Sequence, residues 1–191
     1  NSYSDKLPSV LSDNRKGAYL AGRYLIEHGH KTVALLAGVR SYLSNQERTA
    51  GFLQAFQEEG LSIPPELILE TGSWLYDAAE KVCLNFFNTY TGEMPTALFA
   101  FNDRLATGAI NAICKTGRTV PDDVSVIGYD NLGYYNIISP RITTVETHIE
   151  AISESTVMHM IWQLNNGSCL PVKVLTPVEV ISGETVRSLL C

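Results

Sequence analysis

The sequence is poor in charged residues and has no surplus of positive charge. Only 18% of its 191 residues are charged, and 14 Lys and Arg stand against 20 Asp and Glu, so the net charge at pH 7 is -6. No run of Lys or Arg appears anywhere. Because proteins bind nucleic acids mainly by neutralising phosphates with Lys and Arg, we expect no nucleic-acid binding by these residues themselves.

Long apolar runs and the features of a secretory leader are also missing. The longest apolar stretches, such as 33–37 and 96–101, are far shorter than the ~20 residues that cross a bilayer. We therefore predict no transmembrane helix and no membrane partner. The first residues lack an initiator Met and the basic start and apolar stretch of a signal peptide. We expect the chain to be an N-terminally truncated fragment.

Cysteine is scarce, and its copies are widely spaced. They are Cys83, Cys114, Cys169 and Cys191. None forms a Cys-x-x-Cys pair, and two fall in apolar helical patterns, which favours free, mostly buried thiols over disulfides. Free thiols persist in a reducing compartment, so we predict a cytoplasmic protein.

The sequence motifs of the common catalytic sites are absent. No Gly-x-Ser-x-Gly elbow, Walker A loop or Gly-x-Gly-x-x-Gly motif occurs. His28 and His30 flank a predicted helix end, which suits a cap or a solvated turn better than a metal pair. His148 and His159 are isolated from any Cys or carboxylate cluster in the sequence. We predict no catalytic residue, metal or cofactor, and a protein that is not an enzyme.

Apolar residues, in contrast, are plentiful and ordered in a pattern. They make up 45% of the chain and alternate between short runs and longer amphipathic stretches. This alternation is typical of βαβ units and a parallel sheet. The candidate strands are 9–12, 32–37, 66–70, 97–101 and 124–128. We therefore predict an α/β fold in which helices flank a parallel sheet.

Four helices are predicted among these strands. They cover about 15–28, a stretch starting near residue 44, 77–88 and 104–115. The second has a clear start, because Ser44 and Glu47 fit a capping box in which each side chain bonds the other's backbone N–H. Asp103 stands between a strand and a helix, so it is expected to cap that helix rather than contact a ligand.

The pattern changes after residue 128. The polar and aromatic stretch 129–140 leads into a β-rich run, 142–145, with no helix before it. We interpret this run as a crossover between two lobes. A helix over about 149–164 follows, and then a strand over 172–181. The helix carries an apolar stripe, which we predict to pack on a second copy of the chain or to fold back on this one. The stripe consists of Val157, Met160, Ile161 and Leu164.

Polar and aromatic side chains follow the predicted strands, where an open parallel sheet binds ligands. Trp74, Asn102 and Asp130 come after three of the strands, and Arg48 lies one turn into the second helix. Asn, Asp and Arg donate to and accept from vicinal hydroxyls, and an indole face covers the C–H side of a sugar ring. These residues indicate a site for a carbohydrate or a polar metabolite.

Structural roles compete with this interpretation for several of these residues. Asp130 could equally form a turn, Trp74 could be a core aromatic, and Arg48 could pair with Glu47 or a neighbouring acid at the surface. A structural role for Asn102 is harder to find, which favours ligand contact.

The motifs together resemble one family. They are DNRKGA (13–18), YLIEHGH (24–30), VALLAG (33–38), ERTAGF (47–52), PTALFAFND (95–103), VPDDVSVIGYDN (120–131) and TTV (143–145). Their order and spacing resemble the effector-binding core of the lactose/galactose repressor family. The resemblance covers nearly the whole chain but only the later part of a family member. It differs near the end, where Gly183 stands close to the place of a usual Arg.

The resemblance implies a periplasmic-binding-protein-like fold of type I, with one complete lobe and part of a second. Residues 1–11 would be a remnant of the N-terminal lobe and 12–141 the C-terminal lobe. Residues 142–171 would be a strand and helix returning to the N-terminal lobe, and 172–191 the end of the C-terminal lobe. By the same resemblance, Arg48, Asn102 and Asp130 would contact the effector, an aromatic near Trp74 would pack on it, and the loop of Ser44 would contribute.

The function implied is that of an effector-binding and dimerisation core of a bacterial transcriptional repressor. Such a protein forms homodimers and binds operator DNA only through an N-terminal helix-turn-helix, which is missing from this chain. Its effector is a small molecule, which we predict to be a sugar, although the same residues suit nucleosides and purines. The alternative is an extracytoplasmic sugar-binding protein of a transporter, which shares the fold.

Overall fold

A computed structural model describes residues 7–133, 139–167 and 171–190 of the chain. Strands and helices alternate along these residues, which confirms the predicted α/β class. In chain order they are β1 (Ser9–Ser12), α1 (Asn14–Glu27), β2 (Val33–Ala37), α2 (Leu43–Glu58), β3 (Ile68–Glu70), α3 (Tyr76–Thr89), β4 (Ala97–Ala100), α4 (Asp103–Lys115), β5 (Ser125–Asp130), β6 (Thr143–Glu146), α5 (Ile149–Asn166), β7 (Lys173–Thr176) and β8 (Glu179–Ile181).

Most of the strands form one six-stranded sheet. Its order is β3-β2-β4-β5-β6-β8, and all neighbours are parallel except β6 and β8. Every residue of β2 and β4 is buried. Continuous apolar strands of this kind are expected where helices cover both faces of a parallel sheet.

The side chains of β5 show which helices cover which face. A Cβ at Gly128 would lie 3.4 Å from the Cβ of Ala106, so this face meets α4. The next residue, Tyr129, points the other way and its ring touches Gly17 of α1. Phe52 of α2 lies on the same side as α1, since its ring stacks on Phe99 with centroids 4.8 Å apart and Phe99 in turn neighbours Tyr129.

Two strands lie in a different sheet from the one predicted. The sequence predicts that 142–145 returns to the N-terminal lobe, but β6 lies in the six-stranded sheet between β5 and β8. The strand predicted over 172–181 at the end of the C-terminal lobe is two strands, and the first of them, β7, pairs in parallel with β1 in a separate two-stranded sheet. Pairing partners are distant in sequence, so local pattern alone misplaced both strands. The division into two lobes itself remains a prediction.

The helix starts also differ from the capping predictions. Helix α2 begins at Leu43 with Tyr42 as its N-cap and no side-chain cap bond, so the capping box predicted at Ser44 is wrong. At α4 the cap is Asn102, whose Oδ1 accepts from the N–H of Leu105 at 2.7 Å. Asp103, predicted to be the cap, is instead the first residue of the helix and is buried.

The C-terminal segment lies along the edge of the sheet where β2, β4 and β5 begin. His30 is fully buried there, with Nδ1 2.9 Å from the Thr96 hydroxyl and Nε2 3.1 Å from the Arg187 carbonyl. The prediction of a cap or solvated turn is therefore wrong for His30, although His28 does end α1. A Cβ at Gly183 would come within 2.3 Å of the Arg141 carbonyl, which explains why no larger side chain stands there.

Cysteine burial follows the prediction only in part. Cys83 is buried in α3, and burial raises the pKa of its thiol to about 12. Cys114 is exposed on α4, contrary to the expectation of burial. Cys169 and Cys191 lie outside the described residues.

Candidate functional site

The ends of the parallel strands bring the predicted site residues to one edge of the six-stranded sheet. The chain of contacts runs from Trp74 through Asn102 to Arg48 and Asp130. The Asn102 side-chain amide lies 3.4 Å from the carbonyl of Trp74, and Arg48 bonds the carbonyl of Phe101, the residue before Asn102. Arg48 also reaches Asp130, at the end of β5.

Arg48 occupies the centre of this group. Its Nε donates to the Asn14 side chain at 2.9 Å, and its Nη1 donates to the Phe101 carbonyl. The guanidinium lies over the ring of Tyr129, with Cζ 3.6 Å from the ring centroid, and only 10% of the side chain is exposed. A guanidinium has five N–H groups, and its bonds to described residues use three of them. The predicted alternative of a surface pair with Glu47 therefore does not describe this buried arginine.

Asp130 combines an unusual backbone with a partly accessible carboxylate. Its φ is 104° and that of Asn131 is 50°, both in the left-handed region. Its Oδ1 lies 3.4 Å from Nη2 of Arg48, and 28% of the side chain is exposed. Burial raises the pKa of this carboxyl, and the Arg48 charge opposes that rise. The Arg48 contact is longer than a usual N–H···O bond, which leaves the carboxylate suited to accept from a ligand.

Two aromatic side chains stand beside these polar groups. Trp74 rests on the backbone of Gly38, where a Cβ would come within 2.5 Å of the indole. The ring of Tyr42 lies next to it, with centroids 6.0 Å apart and planes inclined by 37°. Trp74 is half-buried and Tyr42 is exposed. The pair forms an apolar wall of the kind on which the C–H face of a sugar ring packs.

Ser44 and Asn102 contribute differently from each other. Ser44 is half-buried in the first turn of α2, four residues before Arg48, so the two share one helix face. The oxygen of the Asn102 amide is used by the helix cap. Its NH₂ group, 3.4 Å from a carbonyl, is the part with hydrogen-bonding capacity for a ligand.

Three residues important to this geometry were not predicted as site residues. Asn14 orients Arg48 and also donates to Glu47 at 3.2 Å. Tyr129 supports the guanidinium with its ring, and burial raises the pKa of its hydroxyl to about 12. Tyr42 was missed because an aromatic residue in a polar loop carries no spacing signal, although its place just before a helix at a strand end was a usable clue.

The described residues offer hydrogen bonding and stacking at this edge. Within the described ranges, no three His, Cys, Asp or Glu side chains are grouped closely enough to hold a metal ion. Of the helices in the same ranges, none has both the length and the hydropathy needed to cross a membrane.

Comparison with known proteins places this architecture in a family. The sequence profile of the periplasmic binding protein-like domain matches residues 23–186. The chain is 31% identical over 189 residues to the probable HTH-type transcriptional repressor ExuR of Bacillus subtilis (strain 168), an alignment covering 96% of this chain and 54% of that protein. It is 33% identical over 185 residues to the HTH-type transcriptional repressor PurR of Pasteurella multocida (strain Pm70), covering 96% and 54%.

A solved structure agrees with these matches. The lac repressor dimer bound to operator and the anti-inducer ONPF superposes with a TM-score of 0.85 at 27% identity, covering 96% of this chain and 55% of that one. The chain thus spans about half the length of the curated relatives it matches. It belongs to the periplasmic binding protein-like domain family and, within it, matches the effector-binding core of lactose/galactose repressor-family regulators.

Proposed function

We propose that this chain is the effector-binding and dimerisation core of a bacterial transcriptional repressor controlled by a small molecule, and that the molecule is a sugar. The observation that carries the proposal is the pairing of Arg48 with Asp130 beside Asn102 and Trp74 at the ends of the parallel strands. Ser44 completes the proposed set from the same face of α2 as Arg48.

The chemistry of this group favours a neutral polyhydroxy ligand. Asp130 offers acceptors for two hydroxyls, and Arg48 and the Asn102 amide offer donors. The charge of Arg48 is already matched by Asp130, so an uncharged ligand leaves no buried charge unpaired. Trp74 and Tyr42 supply the apolar surface for the ring. A nucleoside or purine would use the same donors and acceptors, so a ligand panel has to include both classes.

The names of the relatives support the regulatory part of the proposal. The two curated relatives are named HTH-type transcriptional repressors, and the lac repressor structure is a dimer on its operator. We propose that this protein likewise acts as a homodimer in the cytoplasm and contacts operator DNA through a helix-turn-helix outside these residues. Effector would act by binding one arrangement of two lobes better than another. These names favour a regulator over the alternative of a transporter's sugar-binding protein.

A thermal-shift screen of the full-length protein tests the proposal. A ligand that binds only the folded state raises its stability by mass action, so a panel of pentoses, hexoses, nucleosides and purines is compared at equal concentration. We expect at least one sugar to raise the melting temperature, and Arg48→Ala to abolish the rise. Arg40→Ala is the matched control, because Arg40 lies in the loop after β2 with 82% of its side chain exposed.

The outcomes separate the parts of the proposal. A shift with nucleosides or purines alone would replace the sugar by another effector class and keep the site. A shift that survives in Arg48→Ala would move the site elsewhere. The absence of any shift across the panel would contradict a small polar effector of these classes.

A further inference from the structure

A second carboxyl group lies beneath the site and is not used by the proposed function. Asp103 is the first residue of α4 and is only 2% exposed. Its Oδ1 accepts from the Thr144 hydroxyl at 2.6 Å. Its Oδ2 is buried and has no hydrogen-bond partner among the described residues. A buried carboxyl with an unsatisfied oxygen is costly, so its presence calls for a role.

The surrounding backbone is shaped to receive this carboxyl. A Cβ at Gly128 would lie 2.2 Å from Oδ1 of Asp103, so only glycine fits at that point of β5. The nearby backbone N–H groups of Tyr129 and Asn131 favour the charged form of Asp103 and lower its pKa, although neither forms a hydrogen bond with Oδ2. Asp103 thus connects the start of α4, the end of β5 and, through Thr144, strand β6.

The segment held in this way is the turn that presents Asp130. Asp130 and Asn131 have φ values of 104° and 50°, conformations that persist in non-glycine residues only when neighbouring groups enforce them. The Thr147 hydroxyl holds the turn by donating to the Asp130 carbonyl at 3.1 Å. Asp103 adjoins the backbone on both sides of Asp130.

We propose that Asp103 is a positioning residue of the effector site, which fixes the Asp130–Asn131 turn from beneath and couples its own charge to that of the Asp130 carboxylate. The inference rests on the proposed function, because Asp130 matters as a ligand only if an effector binds there. The coupling itself is a property of the free protein.

The charged neighbours define how this coupling works. Asp130 at the end of β5 is the charge that acts on Asp103, and Arg48 of α2 lies beyond it, bonded to Asp130. On β6, Glu146 is engaged by the Asn131 side chain and the His148 N–H. Burial is the main cause that raises the pKa of Asp103 to about 7, and the Asp130 charge adds to the rise. The hydrogen bond from Thr144 acts in the opposite direction. Asp103 therefore gains its charge near neutral pH, beside the carboxyl group of Asp130.

Carboxyl-carbon NMR on the 191-residue chain tests this inference without any ligand. With 13C-labelled aspartate, the Asp103 and Asp130 signals are assigned by Asp103→Asn and Asp130→Asn and followed from pH 4 to 9. We expect Asp103 to titrate near neutrality and the Asp130 signal to show an inflection at the same pH. Asp103→Asn should remove that inflection, and Asp130→Asn should lower the Asp103 midpoint by roughly half a unit or more.

Two further variants keep the test decisive. Thr144→Val leaves both carboxyls in place but removes a bond that favours the charged Asp103, so the Asp103 midpoint should rise. Asp122→Asn removes a charge from an exposed turn and should change neither signal. An Asp103 midpoint below pH 5, or an Asp130 signal indifferent to Asp103→Asn, would overturn the inference. The sugar screen succeeds or fails independently, because it reports on the proposed function.

Discussion

The region of the six-stranded sheet and the α5 region use similar apolar residues in opposite ways. In the region of the six-stranded sheet, Phe52, Phe99 and Tyr129 are fully buried and pack between the sheet and its helices. In α5 no residue is buried, and Leu164 is 78% exposed. The predicted stripe of Val157, Met160, Ile161 and Leu164 thus does not fold back on the chain. Apolar side chains become a core only where another element covers them, and the small parallel sheet of β1 and β7 offers too little cover.

The two regions therefore differ in how their apolar side chains are covered. Helices of the same chain cover those of the six-stranded sheet, whereas those of α5 are exposed. A parallel sheet normally has both faces covered, as the six-stranded sheet does. The two-stranded sheet is covered less completely, since Leu175 on β7 is 51% exposed. We therefore expect most of the free energy of unfolding to come from the six-stranded sheet and the helices packed on it.

The largest effect should come from opening a cavity beside the six-stranded sheet. Phe52→Ala removes a ring that stacks on both Phe56 and Phe99, and we expect a loss of about 3–5 kcal/mol in unfolding free energy by urea denaturation. Leu164→Ala in α5 is the matched comparison and should stay within about 0.5 kcal/mol. Equal losses of unfolding free energy from the two substitutions would contradict the difference in stability between the two regions.

The stability should depend on pH through Asp103, at the start of α4. Its folded pKa of about 7 lies above the ordinary 3.8, so its contribution to stability is present below about pH 4 and lost as pH rises through 7. Replacing Asp103 by Asn removes that loss. The unfolding free energy of Asp103→Asn minus that of wild type should therefore increase by about 2–4 kcal/mol from pH 4.5 to pH 8. Urea unfolding at both pH values measures it, and a constant difference would contradict it.

A smaller effect should come from overpacking the α1–α2 contact. A Cβ at Gly51 would lie 2.0 Å from the Arg15 carbonyl, where only backbone could yield. We expect Gly51→Ala to cost about 2 kcal/mol. Ala50→Ser, on the exposed side of the same helix, should change stability by about 0.5 kcal/mol or less. A neutral Gly51→Ala would show that α1 and α2 separate more easily than their close approach suggests.

The smallest effect on stability, but a clear one on association, should come from α5. If the exposed stripe packs on a second copy, replacing Met160 and Leu164 by Ser will shift the chain from dimer toward monomer with little change in unfolding free energy. Sedimentation at several concentrations measures the mass. A wild-type chain that stays a compact monomer with these residues exposed would count against the predicted packing.

The positions of the strands were predicted from the sequence more accurately than the pairing between them. The runs at 32–37, 97–101 and 124–128 correspond to β2, β4 and β5, because burial on both faces leaves a local apolar signal. The run at 66–70 corresponds to the less buried edge strand β3. The sheet membership of β6 and β7 depended on pairing with distant strands, which no local pattern records. The same limit applies to His30, whose burial depends on Arg187 at the other end of the chain.

The site shows the same division between local and distant causes. The parallel topology was enough to predict that residues after different strands would meet, and Arg48, Asn102 and Asp130 do lie along one edge. Their role toward an effector stays a prediction. The support of Arg48 by Asn14 and Tyr129, and the exchange of roles between Asn102 and Asp103 at the α4 cap, depended on side-chain geometry that spacing does not encode.

The most direct test of the central claim is a calorimetric titration of the full-length protein with the sugar that gives the largest thermal shift. Wild type and Asp130→Ala are compared, with Asp122→Ala as the exposed control. Loss of a charged acceptor for ligand hydroxyls should weaken binding by roughly 1.5–3 kcal/mol, while the control binds as wild type does. Unchanged affinity in Asp130→Ala would remove Asp130 from the site and contradict the account.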